Sequence, residues 1–221
     1  MKPAIKARRA VVFDCDGTLF DSLPLVLNAI SHAILPFAKV PPREEIMRQL
    51  GGPPARFMPG LVGDLRHVPE ALRRFDAYHR EQFGTLQPFP GARATLETLR
   101  AGHAPTAIWT GRDRKSTEQM LHEHKLAALF DTIVCGDDLP THKPDPEGLR
   151  KIMRQLGTTT DTTLFIGDST VDVLAGHACG VKTLLIRQMH EADDAGEPKA
   201  WREAATPEES YALALQWAGM Q

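Results

Sequence analysis

Four short runs of apolar and β-branched residues, Ala10 to Phe13, Ala104 to Trp109, Thr132 to Cys135 and Thr162 to Ile166, each end abruptly at polar or glycine-containing sequence. Unbroken apolar runs of this length predict strands buried on both faces. A fifth candidate is Lys182 to Ile186. Helical patterns fall between the later runs, over Ala92 to Ala101, Lys115 to His124, Pro146 to Leu156 and Val171 to Ala178, with a last short helix from about Pro207 to Trp217. Gly102, Gly157 and Gly180 follow three of these helices, where a left-handed terminal residue suits glycine. From about residue 88 onward, strand and helix alternate, which predicts a parallel, doubly wound α/β sheet.

The stretch from Leu19 to Gln87 breaks that alternation. It carries helical patterns near Leu23 to Leu35, Arg43 to Leu50 and Pro69 to Phe83, punctuated by prolines 36, 41, 42, 53, 54 and 59, and no strand pattern. The economical reading is an inserted helical domain over residues 20–86, with the sheet domain made of residues 1–19 and 87–221. Helices packed directly on the sheet fit the same pattern. Residues 188–200 are polar and contain glycine and proline, which predicts a surface loop.

Composition narrows the function classes. The chain has 221 residues, with 26 basic against 28 acidic side chains, so it lacks the basic excess of a general nucleic-acid binder. Cys15, Cys135 and Cys179 are far apart and odd in number, which argues against a disulfide framework or a zinc knuckle. Ahead of Asp14 the apolar stretch is far too short for a signal peptide, and no run approaches the roughly 18 apolar residues of a membrane span. The expectation is a cytoplasmic protein with no membrane partner.

The polar residues at the strand ends carry the chemistry. Asp14, Asp16, Gly17 and Thr18 follow the first run, Thr110, Gly111 and Arg112 the second, Gly136, Asp137 and Asp138 the third, and Gly167, Asp168, Ser169 and Asp172 the fourth. In an open parallel sheet these ends line one edge, and ligands bind in the crevice beyond it. Alternation places the Asp14 and Asp16 side chains on one side and Cys15 in the core, and Gly17 permits a sharp turn. Asp-x-Asp-Gly-Thr also fits an ordinary strand followed by an Asp-Gly turn. Asp168 and Asp172 add a second acidic cluster. Such a gathering repels itself unless a cation neutralises it, and oxygen-only ligands at a small site favour Mg²⁺. Helix capping is the competing use of Asp168 or Ser169. Lys143, in His142-Lys143-Pro144-Asp145-Pro146, sits before a helix start and suits a point charge that steadies a phosphoryl group, although a solvated loop lysine fits as well. Thr110 and the Gly111 amide are candidate donors to phosphate oxygens.

In order and spacing, Asp14-x-Asp16-Gly17-Thr18, Thr110, Lys143-Pro144 and Gly167-Asp168-x-x-x-Asp172 resemble the four motifs of the haloacid dehalogenase superfamily, across residues 10–187. The insertion after the first motif is similar to the small helical cap of its phosphoglycolate phosphatase-like and β-phosphoglucomutase-like members. The resemblance implies a Rossmann-like core under a helical cap and a Mg²⁺-dependent phosphatase acting on a small phosphorylated metabolite. It also implies an aspartyl-phosphate on Asp14, with Asp16 as acid and then base. Mg²⁺ would be held by the Asp14 carboxylate, the Asp16 backbone carbonyl and Asp168, with Asp172 supporting metal waters or Lys143. Thr110, Gly111 and Lys143 would hold the transferring oxygens. Dehalogenase members lack an acid at the position of Asp16, so dehalogenation is disfavoured. A β-phosphoglucomutase-like transferase and a non-catalytic phospholigand-binding module stay open. Thr110-Gly111-Arg112 departs from the Ser/Thr-Asn of capped relatives, leaving Arg112 as an anion contact or a solvent-facing residue. Arg56, in Gly51-Gly52-Pro53-Pro54-Ala55-Arg56, is the candidate grip on the leaving group from the cap. A solvated arginine fits equally. Histidines 122 and 124 share no helix face and are discounted as ligands, and Trp201 and Trp217 read as packing residues.

Overall fold

The structure is a computed structural model that describes residues 8–50, 54–187 and 198–220. The chain divides into two compact units, Met1–Asp21 with Pro88–Gln221, and Ser22–Gln87.

The first unit is built on strands β1 (Ala10–Phe13), β2 (Thr106–Trp109), β3 (Thr132–Val134), β4 (Thr163–Gly167), β5 (Lys182–Ile186) and β6 (Arg202–Ala204). They form one sheet in the order β3-β2-β1-β4-β5-β6, and every neighbouring pair is parallel. All four residues of β1 and all five of β4 are buried, as expected of strands covered on both faces. The order reverses at β1, between β2 on one side and β4 on the other, and there the loops leaving adjacent strands diverge and open a crevice.

Helices α5 (Ala92–Ala101), α6 (Arg114–Glu123), α7 (Glu147–Leu156), α8 (Thr170–Cys179) and α9 (Pro207–Ala218) accompany the sheet. Val12, Ala107, Trp109, Val134 and Phe165 from the strands pack with Leu149 and Ile152 of α7 and Ala175 of α8 in one core cluster. Gly157 and Gly180 take left-handed φ values of 66° and 75° at their helix ends. Gly102 does not: its φ is −81°, and His103 carries the positive φ of 57° instead. Strand β6 carries no apolar run, because only Ala204 of its three residues is buried. Of the expected 188–200 loop, residues 188–197 lie outside the described residues, and 198–200 are irregular.

The second unit contains α1 (Leu23–Ile34), α2 (Arg43–Gln49), α3 (Pro54–Val62) and α4 (Val68–Glu81). Leu27, Ile30, Ile34, Ile46, Met58, Leu61 and Phe75 meet in a core of their own. Helix α3 runs through a stretch where proline predicted a break. Pro54 is its first residue, where the missing N–H costs nothing, and Phe57, Met58, Leu61 and Val62 make a buried stripe around Pro59. Gly51 to Pro53 lie outside the described residues. Among the described residues, no helix is long and apolar enough to cross a membrane.

Candidate active site

The crevice is lined by the turns that follow β1, β2 and β4. After Phe13 the chain bends back on itself. Gly17, at φ 69°, allows its N–H to reach Phe20 O (2.9 Å), and Leu19 and Phe20 both donate to Cys15 O. Asp14 is buried at the strand end, Cys15 is wholly buried, and Asp16 stays partly exposed.

Lys143 comes from the loop before α7, in which the Lys143–Pro144 peptide is cis. Its Nζ lies 2.9 Å from Asp14 Oδ1 and 2.7 Å from Asp172 Oδ1. The same ammonium stands 5.1 Å from the ring centroids of both Trp109 and Phe165, whose rings pack at 5.3 Å, so two aromatic faces add to the two carboxylates in holding the charge. Gly148 lies against the Trp109 indole, which a side chain there would overlap.

Carboxylate oxygens of Asp14, Asp168 and Asp172 lie within 4.8 Å of one another. Burial pushes the Asp14 carboxyl up to about 7, against the pull of Lys143 and with the help of Asp172 and Asp16. Asp168 is raised well above the usual carboxylate range, by burial first and by Asp14 and Asp172 next. Burial alone would lower Lys143, but Asp14 and Asp172 overcome it and raise the lysine, so it stays charged. Were all three acids ionised, one ammonium would leave an excess of negative charge, which is why burial and mutual repulsion hold protons on Asp14 and Asp168. A donor set made only of carboxylates fits a hard divalent cation.

Asp172 closes helix α8 as well. Its Oδ2 accepts from Ser169 Oγ (2.6 Å) and Ser169 N–H (3.2 Å), forming a capping box, while Oδ1 takes the lysine. Capping and site roles therefore coexist on one side chain. Thr110 is buried, and its Oγ1 accepts the Arg112 N–H at 3.1 Å. Gly111 is exposed.

Two expectations change. The acids after β3 turn away from the cluster: Asp137 accepts the Arg114 N–H (2.8 Å), and Asp138 pairs with the Arg114 guanidinium and accepts the Cys135 N–H (2.9 Å). They anchor the start of α6 instead. Arg112 is neither solvent-facing nor open: its Nε and Nη2 donate to the two oxygens of Asp16, each at 2.6 Å. Arg56 is exposed on α3 in the helical unit.

A family model described as haloacid dehalogenase-like hydrolase matches residues 11–186. The chain belongs to the haloacid dehalogenase-like hydrolase family. A family relative named phosphoglycolate phosphatase 1, from Pseudomonas aeruginosa, is 34% identical over 188 residues, which cover 81% of this chain and 69% of the relative. The crystal structure of a predicted phosphoglycolate phosphatase from Haemophilus somnus superimposes with a TM-score of 0.80 at 22% identity, over 96% of this chain and 100% of that one. A haloacid dehalogenase superfamily hydrolase of subfamily IA, variant 1, from Geobacter sulfurreducens gives 0.74 at 26% identity, over 96% and 99%. With relatives of this kind, the chain is a phosphatase of the haloacid dehalogenase-like family.

Within that family frame, the supports that sequence reasoning missed are Trp109 and Phe165 beneath Lys143, and Tyr211. Tyr211, on α9, donates its hydroxyl to Thr18 O at 2.6 Å and so ties the turn after Asp16 to a helix 193 residues away. Trp109 and Phe165 read simply as strand residues. Their place under a lysine follows only once β2 and β4 flank β1.

Proposed function

We propose that this phosphatase uses Mg²⁺ to hydrolyse a small phosphomonoester through an aspartyl-phosphate on Asp14, with 2-phosphoglycolate as the first substrate to try. The observation that carries the proposal is the single ammonium of Lys143 set between Asp14 and Asp172 at 2.9 and 2.7 Å, beside a third acid, Asp168. That arrangement keeps a buried carboxylate beside a fixed positive charge that also suits an incoming phosphoryl group. The substrate class is supported by the 34% identical relative, a phosphoglycolate phosphatase from Pseudomonas aeruginosa. A reducing cytoplasmic setting is supported by the free thiols of Cys15, Cys135 and Cys179.

In this reading, an Asp14 carboxylate oxygen attacks phosphorus as the bond to the leaving oxygen breaks. Asp16 gives that oxygen its proton, so the product leaves as an alcohol. Asp16 then takes a proton from water while the water oxygen attacks phosphorus and the bond to Asp14 breaks, releasing inorganic phosphate. Lys143, the Thr110 hydroxyl and the Gly111 amide hold the phosphoryl oxygens, where positioning and charge compensation supply most of the rate. Asp14, Asp168 and the Asp16 carbonyl would hold Mg²⁺, with Asp172 keeping Lys143 in place. When bound, the ion supplies neutralisation of the charge on the phosphoryl oxygens. The helical unit serves as a cap that selects the leaving group, with Arg56 as its candidate contact.

The test is phosphate release from 2-phosphoglycolate and a panel of small phosphate esters, with Mg²⁺ and with chelator. Release is expected to need the metal and to fall at least ~10³-fold in Asp14→Asn, and acid quenching should trap labelled phosphate on the wild-type protein alone. Equal rates in the wild type and Asp14→Asn overturn the reading. Isomer conversion without phosphate release replaces hydrolysis by transfer.

A further inference from the structure

Arg112 has no part in the reaction as set out above, yet the fold builds a mount for it. Its N–H donates to Thr110 Oγ1 at 3.1 Å, and its carbonyl accepts the Gly136 N–H at 2.7 Å. A Cβ on Gly136 would overlap the carbonyl oxygen of Gly111, so the end of β3 must present bare backbone to hold this turn. From this fixed backbone the Arg112 side chain, 10% exposed, carries its guanidinium to Asp16, whose side chain keeps 36% of its surface exposed. Nε meets Oδ2 and Nη2 meets Oδ1, each at 2.6 Å. A parallel two-bond fork of this kind fixes the plane of a carboxylate as well as its place, and it uses one lone pair of each oxygen, leaving the second to carry the proton that the leaving oxygen takes.

We propose that Arg112 is the positioning residue for Asp16, holding the carboxylate in one rotamer and one plane at the crevice. The inference rests on the phosphatase reading, in which Asp16 serves the leaving oxygen. A short, partly exposed side chain after a strand end has several staggered rotamers open to it, and the fork selects one. A displacement of about 1 Å in a catalytic group costs about a hundredfold in rate. The fork, and not the charge alone, is what the geometry supplies. Lysine at this position keeps the charge but offers a point, not a plane.

The test compares two aryl esters, 4-nitrophenyl phosphate and phenyl phosphate, in the Mg²⁺-loaded protein. The first leaves readily without a proton, and the second needs help. kcat/KM is the readout, because it spans only the steps up to departure of the alcohol. For both Arg112→Met and Arg112→Lys, kcat/KM for phenyl phosphate should fall by ~30- to 100-fold and that for 4-nitrophenyl phosphate by less than ~3-fold. In an Asp16→Asn background, adding Arg112→Met should change the phenyl phosphate rate by less than ~2-fold, since the residue acts through Asp16. Circular dichroism reports folding, and if Arg112→Met does not fold, Arg112→Lys carries the comparison. Equal losses on both esters, a wild-type-like Arg112→Lys, or an additive double variant each overturn the proposal while leaving the phosphatase reading in place. A wild type that releases phosphate from neither ester, nor from 2-phosphoglycolate or any ester of the panel, removes the proposed hydrolysis through Asp14 and this inference with it.

Discussion

The charge balance of the site turns on Asp14. Burial raises its carboxyl to about 7, Lys143 opposes the rise, and Asp172 and Asp16 add to it. The folded value thus lies above the ordinary 3.8, and between roughly pH 4 and 7 the native protein holds a proton that the unfolded chain has released. The stability this group contributes is complete in acid and lost as pH rises through about 7. A divalent cation replaces that proton and removes the penalty of an ionised buried cluster, so cation binding competes with protonation. Thermal midpoints measured from pH 5.5 to 8.5 with chelator and with saturating Mg²⁺ should form two curves that separate as pH rises. Their gap should be smallest at pH 5.5 and widen through 7. A gap that is constant with pH would contradict the assignment of Asp14 to the cation site.

At the scale of elements, the junction of β4 and α8 does two jobs in six residues. Gly167 ends β4, and a Cβ on it would overlap the Asp172 carboxylate, which is folded back over the strand end to cap α8 and hold Lys143. Gly167→Ala should therefore push Asp172 off both partners. A stability loss of about 1–3 kcal/mol is expected from overpacking, together with a fall in kcat of at least ~10-fold. Chemical denaturation and steady-state rates on one preparation check both, and unchanged rates would show that Asp172 can shift without consequence. Much of this element logic was readable in advance. β1, β5 and α5 have the bounds their patterns predict, because strands buried on both faces and one-sided helices leave clear periods. β6 was not readable, since Arg202 and Glu203 are exposed and three residues give no period. Proline misled over α3, where Pro54 stands at the helix start and Pro59 is carried inside it by a buried apolar stripe. In the site, adjacency to a strand end pointed to Asp14, Asp16, Asp168 and Asp172, while Lys143 was read from its place before a helix start. Adjacency failed for Asp137 and Asp138, whose side chains are claimed by Arg114. The Asp16–Arg112 fork joins residues 96 apart, and no local pattern predicts which of several arginines forms it.

At the scale of the molecule, the first unit is closed by its two ends. Helix α9 returns to the start of β1 and to the turn that follows it: Trp217 Nε1 donates to Ala10 O at 3.4 Å, and Tyr211 Oη to Thr18 O at 2.6 Å, while Arg9 Nη1 donates to Trp217 O at 2.7 Å. These contacts lie beyond residue 186, where the family match stops, yet they hold the strand that carries Asp14. The helical unit enters the chain differently. The sheet unit is left just after Phe20 and rejoined at Pro88, which is bridged to Phe20, and Phe89 N–H donates to Leu19 O at 2.9 Å. Both ends of the excursion are thus already together in the sheet unit. Among the described residues, all six strands lie outside it, and the helical unit keeps its own apolar core. A chain with Ser22–Gln87 replaced by a short Gly-Ser linker should therefore fold, melt cooperatively and show Mg²⁺-dependent stabilisation. A chain cut before Pro207 removes fewer residues but strips the ties on β1 and on the turn after it, and it should lose cooperative melting. Differential scanning calorimetry of the two variants decides the matter. A cooperative transition in the cut chain and none in the excised one would mean that stability resides in the helical unit and not in the closure of the sheet by α9.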